Sequence, residues 1–463
     1  ELSDNVISFA TYSGTNESGE TWDNMTVQAG EEKNTGAGFA IPEAALADAV
    51  YTLTYYDGAS SGSAGSGDSG SSGGDSGFDG SNIGTIDAST NYNFAKLLQL
   101  SLYFYDANMC GDQVSETSLY SSELGGWRGD CHVNDYFTYN GKQYKAAGGF
   151  HDAGDHVKFG MPANEAFITL GISYLEFGQA YDELGQKEHL KKIVDYYCTY
   201  LKSCTVLDST DTTAEAFCYQ IGCGQKDHES WVAPEVEDQS KTNRTYSLVA
   251  TSSNPATEYV AGAAAALAIN YLNFGNEEDL KYAKALFAMA KKNGKQTGAT
   301  DTSGSFYASG TWEDEYCLAA AMLYKITNDS TYASDYNSNN KNASNLQKPN
   351  GWCDLYQFAS YYAPSKNSSE LNTIQNWLSS QAGSSMSSYY AGNDYWGTAR
   401  INCNVQFSAL LYDKLNGVDT YANWAKYQMS TILGNNSRKI NLVCGYNNAS
   451  PTKPHHRAAS GYS

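Results

Sequence analysis

Positive charge is what this chain has least of: 29 Lys and Arg stand against 51 Asp and Glu, for a formal charge of -22. Such a surface repels phosphate backbones and anionic headgroups, which argues against nucleic-acid and membrane partners and suits a neutral polymer. Long apolar runs are missing too. Nothing approaches the roughly 20 residues of a membrane span, and the longest apolar stretch, Val260 to Ile269, is Ala-rich and reads as a buried helix. Ten cysteines in 463 residues are too few for a disulfide scaffold. Cys198 with Cys204, and Cys218 with Cys223, are close enough along the chain to pair. Cys110, Cys131 and His132 provide three ligands of a structural zinc or, alternatively, a disulfide or buried thiols. The chain starts at Glu1 with no initiating Met, which fits a removed leader. With the sequons at Asn16, Asn24, Asn243, Asn328, Asn342, Asn367, Asn435 and Asn448, it points to a secreted, extracellular glycoprotein.

Aromatic residues, by contrast, are plentiful: 37 Tyr, 16 Phe and 8 Trp. Most belong in a core, but so many also provide stacking faces for sugar rings. Three regions differ in composition. Residues 1–57 form a small β-rich segment, with strand patterns at Val6 to Tyr12 and Ala49 to Tyr56; it is a fragment of a carbohydrate-binding module or an appendage. Residues 58–84 are almost all Gly, Ser, Ala and Asp, cannot bury apolar surface, and read as a flexible linker. From 85 to 463 the apolar spacing turns helical. It predicts helices at Asn93 to Tyr105, Glu165 to Leu184, His189 to Leu201, Glu258 to Phe274 and Glu278 to Lys292. Further ones are predicted at Glu315 to Lys325, Leu371 to Ser379, Ile401 to Leu415 and Tyr421 to Leu433. Periodicity alone therefore gives one large, mainly α domain.

Chemistry concentrates in Gly148 to Pro162, GGFHDAGDHVKFGMP. Asp152 and Asp155 flank an Ala153-Gly154 turn, with His151 and His156 beside them. One carboxylate can take a proton from water while its neighbour orients that water. A bare Asp-x-x-Asp is equally an Asx-rich turn or a helix cap. The longer string closely resembles the catalytic-base segment of glycoside hydrolase family 9, the inverting cellulases. The resemblance runs from about Asn91 to the last residue, in family order. It takes in SLYFYDANMCG (Ser101 to Gly111), WRGDCH (Trp127 to His132), DHESWVAPE (Asp227 to Glu235), WGTAR (Trp396 to Arg400) and PHHR (Pro454 to Arg457).

The resemblance implies an (α/α)6 barrel with loops building a cleft at one end. It implies hydrolysis of internal β-1,4-glucosidic bonds in cellulose, cello-oligosaccharides or another β-glucan, with inversion. Asp155 is then the base and Asp152 its assistant. His151, His156, His228, Trp231, Phe306, Tyr307, Trp396, Arg400, His455, His456 and Arg457 become the residues that line or support the sugar subsites. Ser309, Gly310, Asp314, Glu315 and Asp354 resemble the family's calcium loop, although one residue is inserted here and an acidic helix N-terminus explains Asp314 and Glu315 as well. No organic cofactor is called for. No dockerin-like repeat supports attachment to a cellulolytic assembly.

One part is missing. Inversion needs a second, protonated carboxyl group about 6.5–9.5 Å from the base, and in the family it is a Glu well downstream of PHHR. Here the last Glu is Glu370, and the later acids Asp394, Asp413 and Asp419 match no motif. The expectation is a domain truncated at its C-terminus, with the general acid beyond Ser463. The alternative is a catalytically silent glucan-binding relative.

Overall fold

The computed structural model describes residues 86–117, 128–237, 239–301, 306–340, 343–382, 389–390 and 397–460, plus the backbone of five short strands within residues 2–28. The chain divides into two units, Glu1–Asp75 and Ser76–Ser463. In the first, β1 (Leu2–Ser3), β2 (Val6–Ser8) and β5 (Thr26–Gln28) make an antiparallel sheet, while β3 (Gly14–Thr15) pairs with β4 (Thr21–Trp22). The expected strand at Ala49 to Tyr56 and the Gly/Ser linker lie outside the described residues.

The second unit is built from helices. In chain order the longer ones are α1 (Phe94–Asn108), α2 (Gly160–Glu183), α3 (Lys187–Ser203), α4 (Thr257–Phe274), α5 (Glu277–Lys292) and α6 (Glu313–Thr327). They continue with α7 (Ser330–Asn339), α8 (Tyr356–Tyr361), α9 (Ser368–Ala382), α10 (Thr398–Asn416) and α11 (Ala422–Ile432). All nine expected helices are among them. The additions are α7, whose Ser/Asn-rich sequence carries little apolar period, and α8, too short to show one.

Local chemistry fixes the ends. Asn93 caps α1 by accepting the Lys96 N–H at 2.9 Å. Gly275 ends α4 at φ 71°, where a side chain would be strained, and Asn276 at once caps α5. This tight connection lays the two helices antiparallel, with Glu277, Glu278 and Asp279 at the positive end of α5 and Lys291 and Lys292 at its negative end.

Burial separates two layers. Every residue of α4 from Thr257 to Asn270 is buried, and α6 is buried from Asp314 to Leu323. A helix buried on all faces belongs to an inner ring. Small residues let neighbours close in: a Cβ on Gly171 of α2 would lie 2.5 Å from Ile269 Cγ2 of α4. α5, one-sided in its burial, packs outside. The unit is a mainly-α (α/α)6 barrel.

Sequence periodicity gave no warning of the small antiparallel sheet beside it. β10 (Ala214–Ile221) lies between β11 (Ser247–Ala250) and β8 (Lys158–Phe159), and β9 (Thr205–Leu207) also pairs with it. β8 directly follows the Asp152–Asp155 turn, so the sheet fixes the exit of that segment. A hairpin, β6 (Tyr136–Tyr139) and β7 (Lys142–Lys145), turns on Asn140-Gly141, both at positive φ as a type I′ turn requires.

Candidate active site

The acidic turn is held from both sides by backbone. His151 N–H donates to Asn108 O (2.8 Å) and Cys110 N–H to Gly149 O (2.9 Å), so the entry runs along the end of α1. Asp152 N–H donates to Val157 O (3.0 Å), and Val157 N–H to Asp155 Oδ1 (2.9 Å), which closes the loop on itself. Gly149 sits at φ 77° with a missing Cβ 2.7 Å from the Tyr200 ring; no other residue fits there.

Arg457 ties this loop to a second one. Its backbone N–H (3.2 Å) and Nε (3.1 Å) donate to Gly154 O; its Nη1 donates to Asp227 O (2.8 Å) and Ser230 O (2.9 Å), and its Nη2 pairs with Asp227 Oδ2. Buried, with four of its five side-chain N–H groups given to Gly154, Asp227 and Ser230, Arg457 serves to position the turn. Arg128 similarly links motifs, donating to Glu235 Oε1 (2.7 Å) and Met109 O (2.9 Å).

Both acids are raised. Burial, then the charge of Asp155, pushes Asp152 well above the usual carboxylate range, with the Tyr307 hydroxyl donating to its Oδ2. Burial and the charge of Asp227 push Asp155 up to about 6, against the pull of His228, the Val157 N–H and Arg457. Two close carboxyls resist ionising together. Of the two, Asp152 is raised further, so Asp155, at about 6, ionises first.

Aromatic rings gather around them. His228 Nε2 is 4.0 Å from Asp155 Oδ2, and its ring stacks on Phe306 (5.1 Å, 29°), which stacks on Phe159 (5.5 Å, 27°). Tyr307 packs edge-on against Trp352 at 5.3 Å; the sequence pattern had not singled out this Trp as a site residue. Tyr307 also takes an uncommon positive φ of 48°. Arg400, at the start of α10, lies near Tyr307 and Glu165 and is exposed. Trp231, 48% exposed, pairs with exposed His455 at 4.6 Å. His456 Nε2 is 3.1 Å from Asn108 Oδ1, and burial with the charge of Arg128 pushes it down to about 4, so it is neutral. Trp396 lies outside the described residues.

Two expectations are corrected. His151 and His156 are buried and cannot line a sugar subsite. His156 Nδ1 meets Glu237 Oε1 at 2.8 Å. His151 instead joins Cys110, Cys131 and His132, whose ligand atoms all lie within 4.8 Å of one another. His151 Nε2 is 3.1 Å from His132 Nδ1 and 4.0 Å from Cys131 Sγ, and Cys110 Sγ is 3.4 Å from His132 Nδ1. His132 Nε2 rests on Glu237 Oε2 at 2.7 Å, the outer carboxylate contact that orients a metal-bound imidazole.

Of the acids expected around calcium, Asp314 and Glu315 sit at the start of α6 and Asp354 just before α8. Glu315 is buried beside Asp314, and burial with that neighbour's charge pushes its carboxyl well above the usual range. Asp314 Oδ2 accepts the Leu355 N–H (2.7 Å), and Asp354, pushed up to about 7 by burial, carries the Lys348 ammonium. Ser309 Oγ donates to Thr311 O (2.9 Å), and Gly310 is exposed. Glu258 on α4, not anticipated from sequence, is pushed up to about 7 by burial, with Asp314 adding to the rise.

Paired, raised carboxyls among exposed aromatic rings, on an (α/α)6 barrel, define a carbohydrate-cleaving class of protein. The pattern described as Glycosyl hydrolase family 9 matches residues 94–463, and the chain belongs to that family. Endoglucanase B of Cellulomonas fimi is 27% identical over 404 residues, 81% of this chain and 37% of that protein. Endoglucanase A of Bacillus pumilus is 29% identical over 411 residues, 80% of this chain and 58% of its own length. The chain thus spans less than two thirds of either. Among solved structures, the catalytic domain of CelT from Clostridium thermocellum is 35% identical, with TM-score 0.71 over 80% of this chain and 85% of that one. The cellulase Cel9M of C. cellulolyticum in complex with cellobiose is 30% identical, with TM-score 0.70 over 80% and 85%.

Proposed function

We propose that the protein is an endo-acting hydrolase of β-1,4-glucosidic bonds in cellulose or a related β-glucan, and that it inverts the anomeric centre. The observation that carries this is the Asp152–Asp155 turn, raised in proton affinity and pinned by Arg457 beside His228, Phe306 and Tyr307. The relatives are named endoglucanases and a solved neighbour carries cellobiose, which supports a glucan ligand. In this reading a glucan chain lies against Trp231 and Tyr307, where apolar C–H faces of glucose meet aromatic faces. Asp155 takes the proton of a water attacking the anomeric carbon. The departing glycosidic oxygen takes a proton from a separate carboxyl group, which the family resemblance places downstream of Pro454–Arg457. Asp152, protonated and held by Tyr307, keeps that water on the far side of the leaving group. An insoluble polymer must be met outside the cell, so the reading includes secretion.

Two metals belong to the proposal. Cys110, Cys131, His132 and His151 fit zinc: two sulfurs and two nitrogens converge, and Glu237 braces one ring. When bound, it would supply a rigid anchor one residue before Asp152. Calcium is assigned to Asp314, Glu315 and Asp354, with Ser309 and Gly310, because two buried carboxyls, Asp314 and Glu315, adjoin at the start of α6.

The test is to incubate the full-length gene product with carboxymethylcellulose and cellohexaose, and follow reducing ends and anomeric proton signals. Release of products that start as the α-anomer is expected. Cellohexaose binding with no release would instead favour the silent glucan-binding relative.

A further inference from the structure

Two sulfurs lie on the sheet behind the acidic turn. Cys204 is the last residue of the turn that ends α3, and β9 begins directly after it. The β9–β10 register pairs Val206 with Ala216 and Thr205 with Phe217. The next pair along is Cys204 with Cys218, and the Cys218 N–H donates to Cys204 O at 2.9 Å. Directly opposed residues of an antiparallel pair have Cα atoms about 4.5–5.5 Å apart, inside the range of about 4.4–6.8 Å that a disulfide spans. The Cys218 S–H reaches Gln220 O at 3.5 Å, on the same strand. Both side chains are buried, at 0% and 1% exposure, so no small reagent separates them once the sheet has formed.

The other pairings suggested by chain distance do not fit this geometry. Cys198 faces the helices, lining a small cavity with Phe167, Gly171, Val194 and Ala266. Cys223 lies beyond the end of β10, past Gly222 at φ 96°, and caps the next helical turn.

We propose that Cys204 and Cys218 are the site of a cross-strand disulfide, formed while the chain folds. The oxidant is a disulfide of the secretory route, either a protein dithiol catalyst or oxidised glutathione. The Cys204 thiolate attacks one sulfur of that disulfide, forming a mixed disulfide and releasing one thiolate. The Cys218 thiolate then attacks the Cys204 sulfur and expels the second. Two S–H bonds are lost and one S–S bond is gained; two protons go to the released thiolates and two electrons reduce the oxidant.

The bond would close a loop from the end of α3 to the middle of β10. Two residues further on, β10 pairs Gln220 with Phe159 and Ile221 with Lys158, so the crosslink braces the strand that receives the chain from Asp155. The pair is thus a fastening for the scaffold of the acidic turn, placed where turnover cannot reach it.

Peptide mapping decides. The full chain is produced in a secretory host, denatured with an alkylating agent and no reductant, then cut at acidic residues and by chymotrypsin. Asp208, Asp211 and Glu215 separate the two cysteines, and Tyr219 separates Cys218 from Cys223. The expected product is one fragment pair joined through Cys204 and Cys218. Recovery of both as alkylated thiols, or either joined to Cys198 or Cys223, overturns the proposal. As a second measurement, the Cys204→Ala/Cys218→Ala double variant should melt about 5 °C lower than the parent without reductant, and the gap should close in strong reductant. A gap equal in both conditions reflects lost packing alone and also overturns it.

Discussion

Asp155 draws its character from three neighbours: the Asp227 charge raises its proton affinity, while His228 and Arg457 lower it. A base works only when ionised, so kcat/KM should fall as pH drops through about 6. Asp227→Asn removes a negative neighbour, eases ionisation of Asp155 and should move this acid limb to lower pH. The same change leaves the buried Arg457 guanidinium without its carboxylate, at a cost of about 3–5 kcal/mol. A pH–rate profile and a denaturant melt of this variant check both; an acid limb that stays put removes Asp227 from the electrostatics of the site. The acids themselves were legible, because two carboxylates in a Gly-bearing turn are a local pattern. What His151 and His156 do was not legible. Their surroundings are set by Glu237, more than 80 residues downstream, and by Cys110 and Cys131 upstream. The Tyr307–Asp152 bond likewise depends on a contact across 155 residues.

At the scale of elements, the turn depends on how closely the Pro454–Arg457 segment lies on it. A Cβ on Gly154 would come 2.6 Å from His455 O. Gly154→Ala should therefore push the two segments apart, with activity lost on the order of 100-fold while far-ultraviolet circular dichroism is unchanged. Full activity in that variant would show that the contact does not position the acids. The cap of α1 is a simpler case: Asn93→Ala removes the acceptor for the Lys96 N–H and should cost about 1 kcal/mol, read as a shifted denaturation midpoint. Helices such as α4, with Val260 to Ile269 apolar throughout, announce themselves in sequence. The sheet of β8 to β11 does not. Its strands are short or, like Ala214–Ile221, buried at almost every position, so no alternation marks them.

For the molecule as a whole, the Cys/His cluster sits where three parts of the chain meet through isolated backbone bridges, Met109 with Phe150 and Gly111 with Cys131. Cys110 follows α1, Cys131 and His132 lie in the Arg128 loop, and His151 enters the acidic turn. Elemental analysis should find one zinc per chain. A strong chelator should lower the melting temperature, and added zinc should restore it. Absence of zinc together with a chelator-independent melt would leave a disulfide or free thiols there. From the sequence, only three of the four donors were in view, since His151 had been assigned to the cleft.

The claim beneath all of this is that Asp155 is the base. Asp155→Ala should be assayed for reducing-sugar release from carboxymethylcellulose, for cellohexaose binding, and again with azide, a nucleophile that needs no base. Release should fall by about 10²–10⁴-fold, binding should survive, and azide should restore cleavage as the α-glycosyl azide. Release at the parent rate in this variant would contradict that claim.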